Sequence, residues 1–182
     1  MVKRILLAVL VSCAAPTFAA TLSVTPDYQK ITNSGVVSVR VDGLNENRLG
    51  GYDFFVTWDP AIVSLTSVLF AAPGEFDGLG QWELLDLGLA SVRAVFFADP
   101  EDLVASQPEG FVLADLTFAG VGSGISLVDL EISELTDAFA QPFGAEVANG
   151  AIEVVPEPST VWLIAGGALV AANRVLRRGF RR

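Results

Sequence analysis

The sequence predicts an all-β protein: an antiparallel two-sheet sandwich of eight or nine strands, preceded by a signal peptide and followed by a transmembrane helix. Three observations predict it. Apolar residues recur at period two in short runs, turn residues separate those runs, and the charge falls into three blocks. The 182 residues carry 11 Lys and Arg, 21 Asp and Glu, no His and one Cys, for a net charge of −10. Residues 1–20 hold Lys3 and Arg4 and no acid, whereas residues 21–155 hold 20 acids and only Lys30, Arg40, Arg48 and Arg93. The body is therefore net −16 and repels phosphate, which excludes nucleic acid as its partner. Without His there is no Ser-His-Asp, Cys-His or His-ligated metal chemistry.

Residues 1–19 read as a signal peptide. Lys3 and Arg4 form a positive start, Ile5–Val11 a short apolar stretch, and Thr17 and Ala19 the small residues before a cut at Ala20. Seven strongly apolar residues fall far short of the roughly 20 that a membrane span needs. Leu10-Val11-Ser12-Cys13 offers a competing processing site, because it resembles a bacterial lipobox in which Cys13 would be lipidated. With Cys13 in this segment, the mature body has no disulfide and no thiol nucleophile.

Residues 20–154 read as strands and turns, with no convincing helix. Val37, Val39 and Val41 share a face, as do Tyr52, Phe54, Val56 and Trp58. So do Val92, Ala94 and Phe96, then Val112, Ala114, Leu116 and Phe118, then Val128, Leu130 and Ile132. Asn33-Ser34-Gly35, Leu49-Gly50-Gly51, Asp59-Pro60, Asp99-Pro100, Pro108-Glu109-Gly110 and Asn149-Gly150 supply turns between them. Short strands at this spacing fit a sandwich. Trp82–Leu89 is ambiguous and is compatible with a turn of helix.

Residues 155–182 form the tail. Pro156 and Pro158 stop any helix from continuing out of the body, and Ser159 or Thr160 can cap a new one. Val161–Ala172 is an uninterrupted apolar run, within an expected transmembrane helix over 160–173. Twelve helical residues cover only about 18 Å, so this span is short. Arg174, Arg177, Arg178, Arg181 and Arg182 then hold that end in the cytoplasm and leave the body outside. The order Pro156-Glu157-Pro158-Ser159-Thr160, apolar run and terminal Arg cluster closely resembles the PEP-CTERM sorting signal of Gram-negative bacteria. That resemblance implies export, signal peptidase processing and transient retention in the inner membrane. It also implies recognition by an exosortase at Pro-Glu-Pro, then release or transfer to the cell surface, typically in bacteria that make exopolysaccharide.

The body resembles the cohesin domain, a jelly-roll sandwich. The resemblance rests on Gly51-Tyr52-Asp53-Phe54 running into Val56-Thr57-Trp58-Asp59-Pro60, then on Ile62–Val68. It rests also on Gly110–Phe118 and on the closing Asn149–Val154. Cohesins usually have Tyr where this chain has Trp58. They are non-enzymatic modules that bind dockerins, which implies a protein partner here; no dockerin-contacting residue can be matched by position.

Carboxylates are the remaining catalytic raw material, at Asp99, Glu101 and Asp102 and at Glu75, Asp77, Glu83 and Asp86. Twenty acids in such a body make close pairs inevitable, so these read as solvated surface charge, and no catalytic or metal-binding residue is assigned. The spacing is not that of an EF-hand loop, and no cofactor is implied. Tyr28 and Trp82 are the aromatics least tied to a strand face and carry an alternative, exopolysaccharide binding by ring stacking. Trp58 and most Phe residues read as core.

Overall fold

The computed structural model describes residues 20–45, 48–71 and 78–156, so both expected membrane-interacting ends lie outside the described residues, apart from Val155 and Pro156. Within them the period-two pattern divides side chains between a shared core and two outer faces. One sheet holds β1 (Ala20–Thr25), β3 (Ser34–Asp42), β5 (Val63–Phe70), β8 (Phe111–Gly120) and β10 (Ala145–Ala148), in the order β10-β1-β3-β8-β5. The other holds β2 (Tyr28–Ile31), β4 (Leu49–Trp58), β6 (Gly78–Asp86), β7 (Leu89–Phe96), β9 (Gly124–Asp137) and β11 (Gly150–Val154), in the order β2-β11-β9-β4-β7-β6. Phe54, Val56, Val92 and Ile152 from the six-stranded sheet meet Leu22, Val39, Leu116 and Phe118 from the five-stranded one, all fully buried. Burying each such side chain contributes about 1.5–3 kcal/mol. Trp58 lies in this core edge-on to Phe118, with ring centroids 5.7 Å apart.

Among the described residues the strand count is eleven, not eight or nine, and the sandwich is not wholly antiparallel. β1 runs parallel to β10, and β2 parallel to β11. Both terminal segments change sheet at the same place, between Thr25 and Tyr28 and at Asn149. Ala151 N–H donates to the Asp27 carbonyl there at 2.8 Å. β2 and β10 have four residues each, too few for a periodic signal. Trp82–Leu89 is strand and turn instead of helix, because β6 pairs with β7 from Gly78↔Phe96 to Asp86↔Leu89. The alternation in β6 is blurred by a register shift between Leu84 and Asp86.

Two further expectations are corrected. Val112 does not share a face with Ala114, Leu116 and Phe118. A register shift between Val39 and Arg40 against β8 buries Leu113 beside Ala114 and turns Val112 outward. The body also contains one helix, α1 (Pro100–Ser106), where Pro100 sits in the first turn with Glu101 and Asp102. Leu103 is its one buried residue, which is why no apolar stripe announced it.

Candidate functional site

The two outer faces differ in chemistry. On the five-stranded sheet the outward positions include Thr21 and Ser23 of β1, Ser38 and Arg40 of β3, Thr117 of β8 and Ser64 and Ser67 of β5, together with two exposed apolar residues, Val36 and Leu69. Ser38 Oγ donates to Asp115 at 2.6 Å, and the Arg40 guanidinium donates to both Asp42 carboxylate oxygens at 2.7–2.9 Å. That hydrogen bond raises the Arg40 pKa above its ordinary value.

On the six-stranded sheet, strand pairing aligns residues in rows across β9, β4, β7 and β6. One row reads Glu134, Asp53, Arg93, Gln81; the next Glu131, Phe55, Ser91, Glu83; a third begins Asp129, Thr57, Leu89. Phe55 thus lies among Glu131, Glu134, Asp129, Asp53 and Glu83, with Arg93 as the one base in these rows. Beyond them Gly51 opposes Thr136 and Val95, and Val95 opposes Leu79. Gly51 has no side chain, and a dip of about 380 Å³ lies here between Asp53, Arg93, Glu134 and Thr136. Leu79 and Val95 are more than half exposed, and together with Phe97 they border a second dip of about 310 Å³. This face is acidic and apolar at once, which suits a basic protein surface.

The sequence-derived candidates are distributed unevenly. Pro156 is exposed just past β11, where Val155 N–H donates to the Ile31 carbonyl at 2.8 Å. Glu157, Pro158, Ser159, Thr160 and the five tail arginines lie outside the described residues, as do Glu75, Asp77 and Cys13. Asp99, Glu101 and Asp102 form the start of α1 instead of a loop, and among the described residues no three acids converge on a cation position. Trp82 is half-buried and packs inward against the core. Tyr28 is exposed on β2, its hydroxyl donating to Glu153, which also pairs with Lys30 at 2.9 Å. Sequence reasoning missed the Phe55 cluster, since only strand pairing brings residues 53–57, 81–83, 91–93 and 129–134 together.

Comparison with known proteins covers both parts of the chain. The model of the PEP-CTERM protein-sorting motif matches residues 154–182. No curated protein matches the sequence. The fold is similar to the sixth cohesin of scaffoldin B from Acetivibrio cellulolyticus, solved in complex with a dockerin. Identity there is 21% and the TM-score 0.60, over 75% of this chain and 99% of that one. A cohesin module from a Clostridium perfringens family 33 glycoside hydrolase gives a TM-score of 0.63 at 7% identity, over 78% and 100%. A non-cellulosomal cohesin from the archaeon Archaeoglobus fulgidus gives 0.57 at 13%, over 78% and 94%. The chain thus carries a PEP-CTERM protein-sorting motif at residues 154–182, joined to a sandwich with the fold of cohesin modules.

Proposed function

We propose that this is an exported envelope protein of a Gram-negative bacterium whose sandwich, residues 20–154, binds a protein partner without catalysis. Signal peptidase removes residues 1–19. The helix over 160–173, with Arg174, Arg177, Arg178, Arg181 and Arg182 on the cytoplasmic side, then holds the precursor in the inner membrane. An exosortase recognises Pro156-Glu157-Pro158, with Ser159 and Thr160 completing the motif, and processing delivers the body to the cell surface or the surrounding matrix. One observation carries this reading: the last strand ends at Val154, where the sorting-motif match begins. Cleavage at Pro-Glu-Pro therefore removes no residue of the described core. Intact mass of the endogenous protein tests it. The expected species starts at Ala20, ends near Pro-Glu-Pro and leaves the membrane fraction. Replacing Pro156, Glu157 and Pro158 together with Ala is expected to leave a species that retains Arg182 in the membrane; normal delivery of that variant would refute exosortase recognition.

The partner-binding surface is the outer face of β9, β4, β7 and β6, where Phe55 supplies an apolar anchor inside an acidic ring. Phe55→Asp is expected to weaken capture of the cognate partner at least about tenfold, the effect of removing one interface anchor. Ser67→Asp, on the opposite outer face, is the matched control and is expected to bind like wild type. Equal loss in both variants would mean that the face is misassigned.

A further inference from the structure

Val154 leaves the sandwich beside the polar Thr32–Asn33 turn, at the end that also carries the turns Asp59–Ile62, Leu87–Gly88 and Val121–Ser123. These turns are stitched together: Val121 N–H donates to the Ile62 carbonyl at 2.8 Å, and Trp58 N–H to the Gly88 carbonyl at 3.0 Å. Turn tips are ordinarily polar. Here Leu87 is 86% exposed and Val121 62%, and both are apolar. With Pro60, Leu84 and Leu85 they rim a depression of about 310 Å³ floored by Trp58. A contiguous apolar patch at a turn end is surface suited to contact.

The length of the tail identifies what it contacts. Between Pro156 and the apolar run that starts at Val161 stand only four residues, Glu157–Thr160. Extended chain from Val155 to Thr160 reaches about 20 Å. The patch lies three to four strands across from β11, about 14–19 Å at ordinary strand spacing. Once Val161–Ala172 enters a bilayer, the exit of the chain at Val155 stays within about 20 Å of that bilayer, which keeps this end of the sandwich within reach of it.

We infer that the Leu87 and Val121 turn tips, with Leu84 and Leu85, dock on the lipid surface while the precursor is anchored. The inference rests on the anchored precursor proposed above and adds a second, tether-dependent membrane contact. Local concentration supplied by the tail makes a small patch effective. The patch meets hydrocarbon and interface, not lipid charge, because Asp59 and Asp86 flank it and the body is net −16. After processing the tether is lost, and the acidic body leaves the membrane. The contact therefore lasts as long as the anchor does.

The test uses the full chain with Cys13→Ser, reconstituted into phosphatidylcholine vesicles with and without brominated acyl chains. A single cysteine, at position 87, 79 or 165, carries an environment-sensitive NBD label. Leu79 is the matched control: it is exposed near the opposite end of β6, the strand that leads into the Leu87–Gly88 turn. Label at 165 reports the anchor. The expected result is that positions 165 and 87 each lose about half their emission to bromine, and position 79 less than about a tenth. Adding Val121→Asp, Leu84→Asp and Leu85→Asp is expected to abolish quenching at 87 and spare it at 165, with an unchanged circular dichroism spectrum confirming the fold. Quenching at 165 without quenching at 87 overturns the inference and leaves the anchor standing. No quenching at 165 overturns the anchored precursor, and the inference with it. A blue-shifted label at 87 in detergent-free protein without vesicles overturns the inference in favour of the protein's own tail, or a second copy, as occupant.

Discussion

The two ends of the sandwich are closed by different means. At the end opposite the tail, a buried side-chain amide is satisfied on both sides, while one buried nitrogen of the neighbouring Arg48 guanidinium has no hydrogen-bond partner. Gln107, 3% exposed at the exit of α1, accepts from Leu49 N–H at 2.6 Å and donates to the Leu49 carbonyl at 2.9 Å. Its planar amide replaces the strand neighbour that β4 loses when β7 ends at Phe96. Leu44 N–H reaches the Glu109 carbonyl, and the Asp137 carboxylate accepts from Phe139 and Gln141 N–H, each at 2.8–3.0 Å. At the tail end, tight turns join the strands and expose Leu87 and Val121. The Gln107 end also exposes Phe97 and Phe139, and the tail end also buries a bonded polar group, Ser126. The ends therefore differ in what finishes each: a side-chain amide that caps β4 at one, a hydroxyl and apolar turn tips at the other.

The largest expected effect tests the first half of that contrast. Gln107→Ala strands the Leu49 N–H and carbonyl in a buried setting, at a cost of about 1–3 kcal/mol for each unsatisfied group. We expect a loss of about 2–4 kcal/mol in urea denaturation of the full chain. A loss within about 0.5 kcal/mol would show that water replaces the amide and that this end is looser than its bonds imply.

How much of this was legible from the sequence follows from where each signal lives. Val37, Val39 and Val41, or Tyr52, Phe54, Val56 and Trp58, announce their faces because burial on one side of a strand imposes period two on contiguous residues. Val112 misleads because one extra residue at Leu113 reverses the phase, and a bulge is set by the partner strand, not by local sequence. Gln107 gives no signal at all: a polar residue after a short helix looks solvated until β4 arrives beside it. The sorting motif is contiguous and was readable from its order alone. The Phe55 cluster draws on four strands between residues 53 and 134, so its assembly depends on topology that periodicity does not encode.

A smaller effect sharpens the same contrast inside the core. Toward the Gln107 end, Tyr52 stacks with Phe54 at 5.6 Å and meets Phe96 at 6.3 Å, and Phe96 meets Phe111 at 6.2 Å. Toward the tail end, Trp58 and Phe118 form the aromatic contact and no tyrosine is buried. The Tyr52 hydroxyl donates to the Leu113 carbonyl at 3.0 Å, and burial pushes its pKa above the ordinary tyrosine value. That carbonyl also accepts from Ala71 N–H at 3.0 Å, so Tyr52→Phe leaves it a partner. At neutral pH the substitution is expected to cost only about 0.5–1.5 kcal/mol. Alkaline pH separates the two proteins further. An unfolded tyrosine ionises near pH 10, whereas folded Tyr52 keeps its proton, so the unfolded state binds fewer protons as pH rises past about 10. The stability of the wild type is therefore full below that pH and falls above it, by up to about 1.4 kcal/mol per pH unit, a slope that Tyr52→Phe lacks. Urea denaturation of both chains at pH 8, 10 and 11 should show the gap between them narrow with rising pH and be largely gone by pH 11. Parallel curves would mean that Tyr52 ionises in the folded state and that water reaches this half of the core.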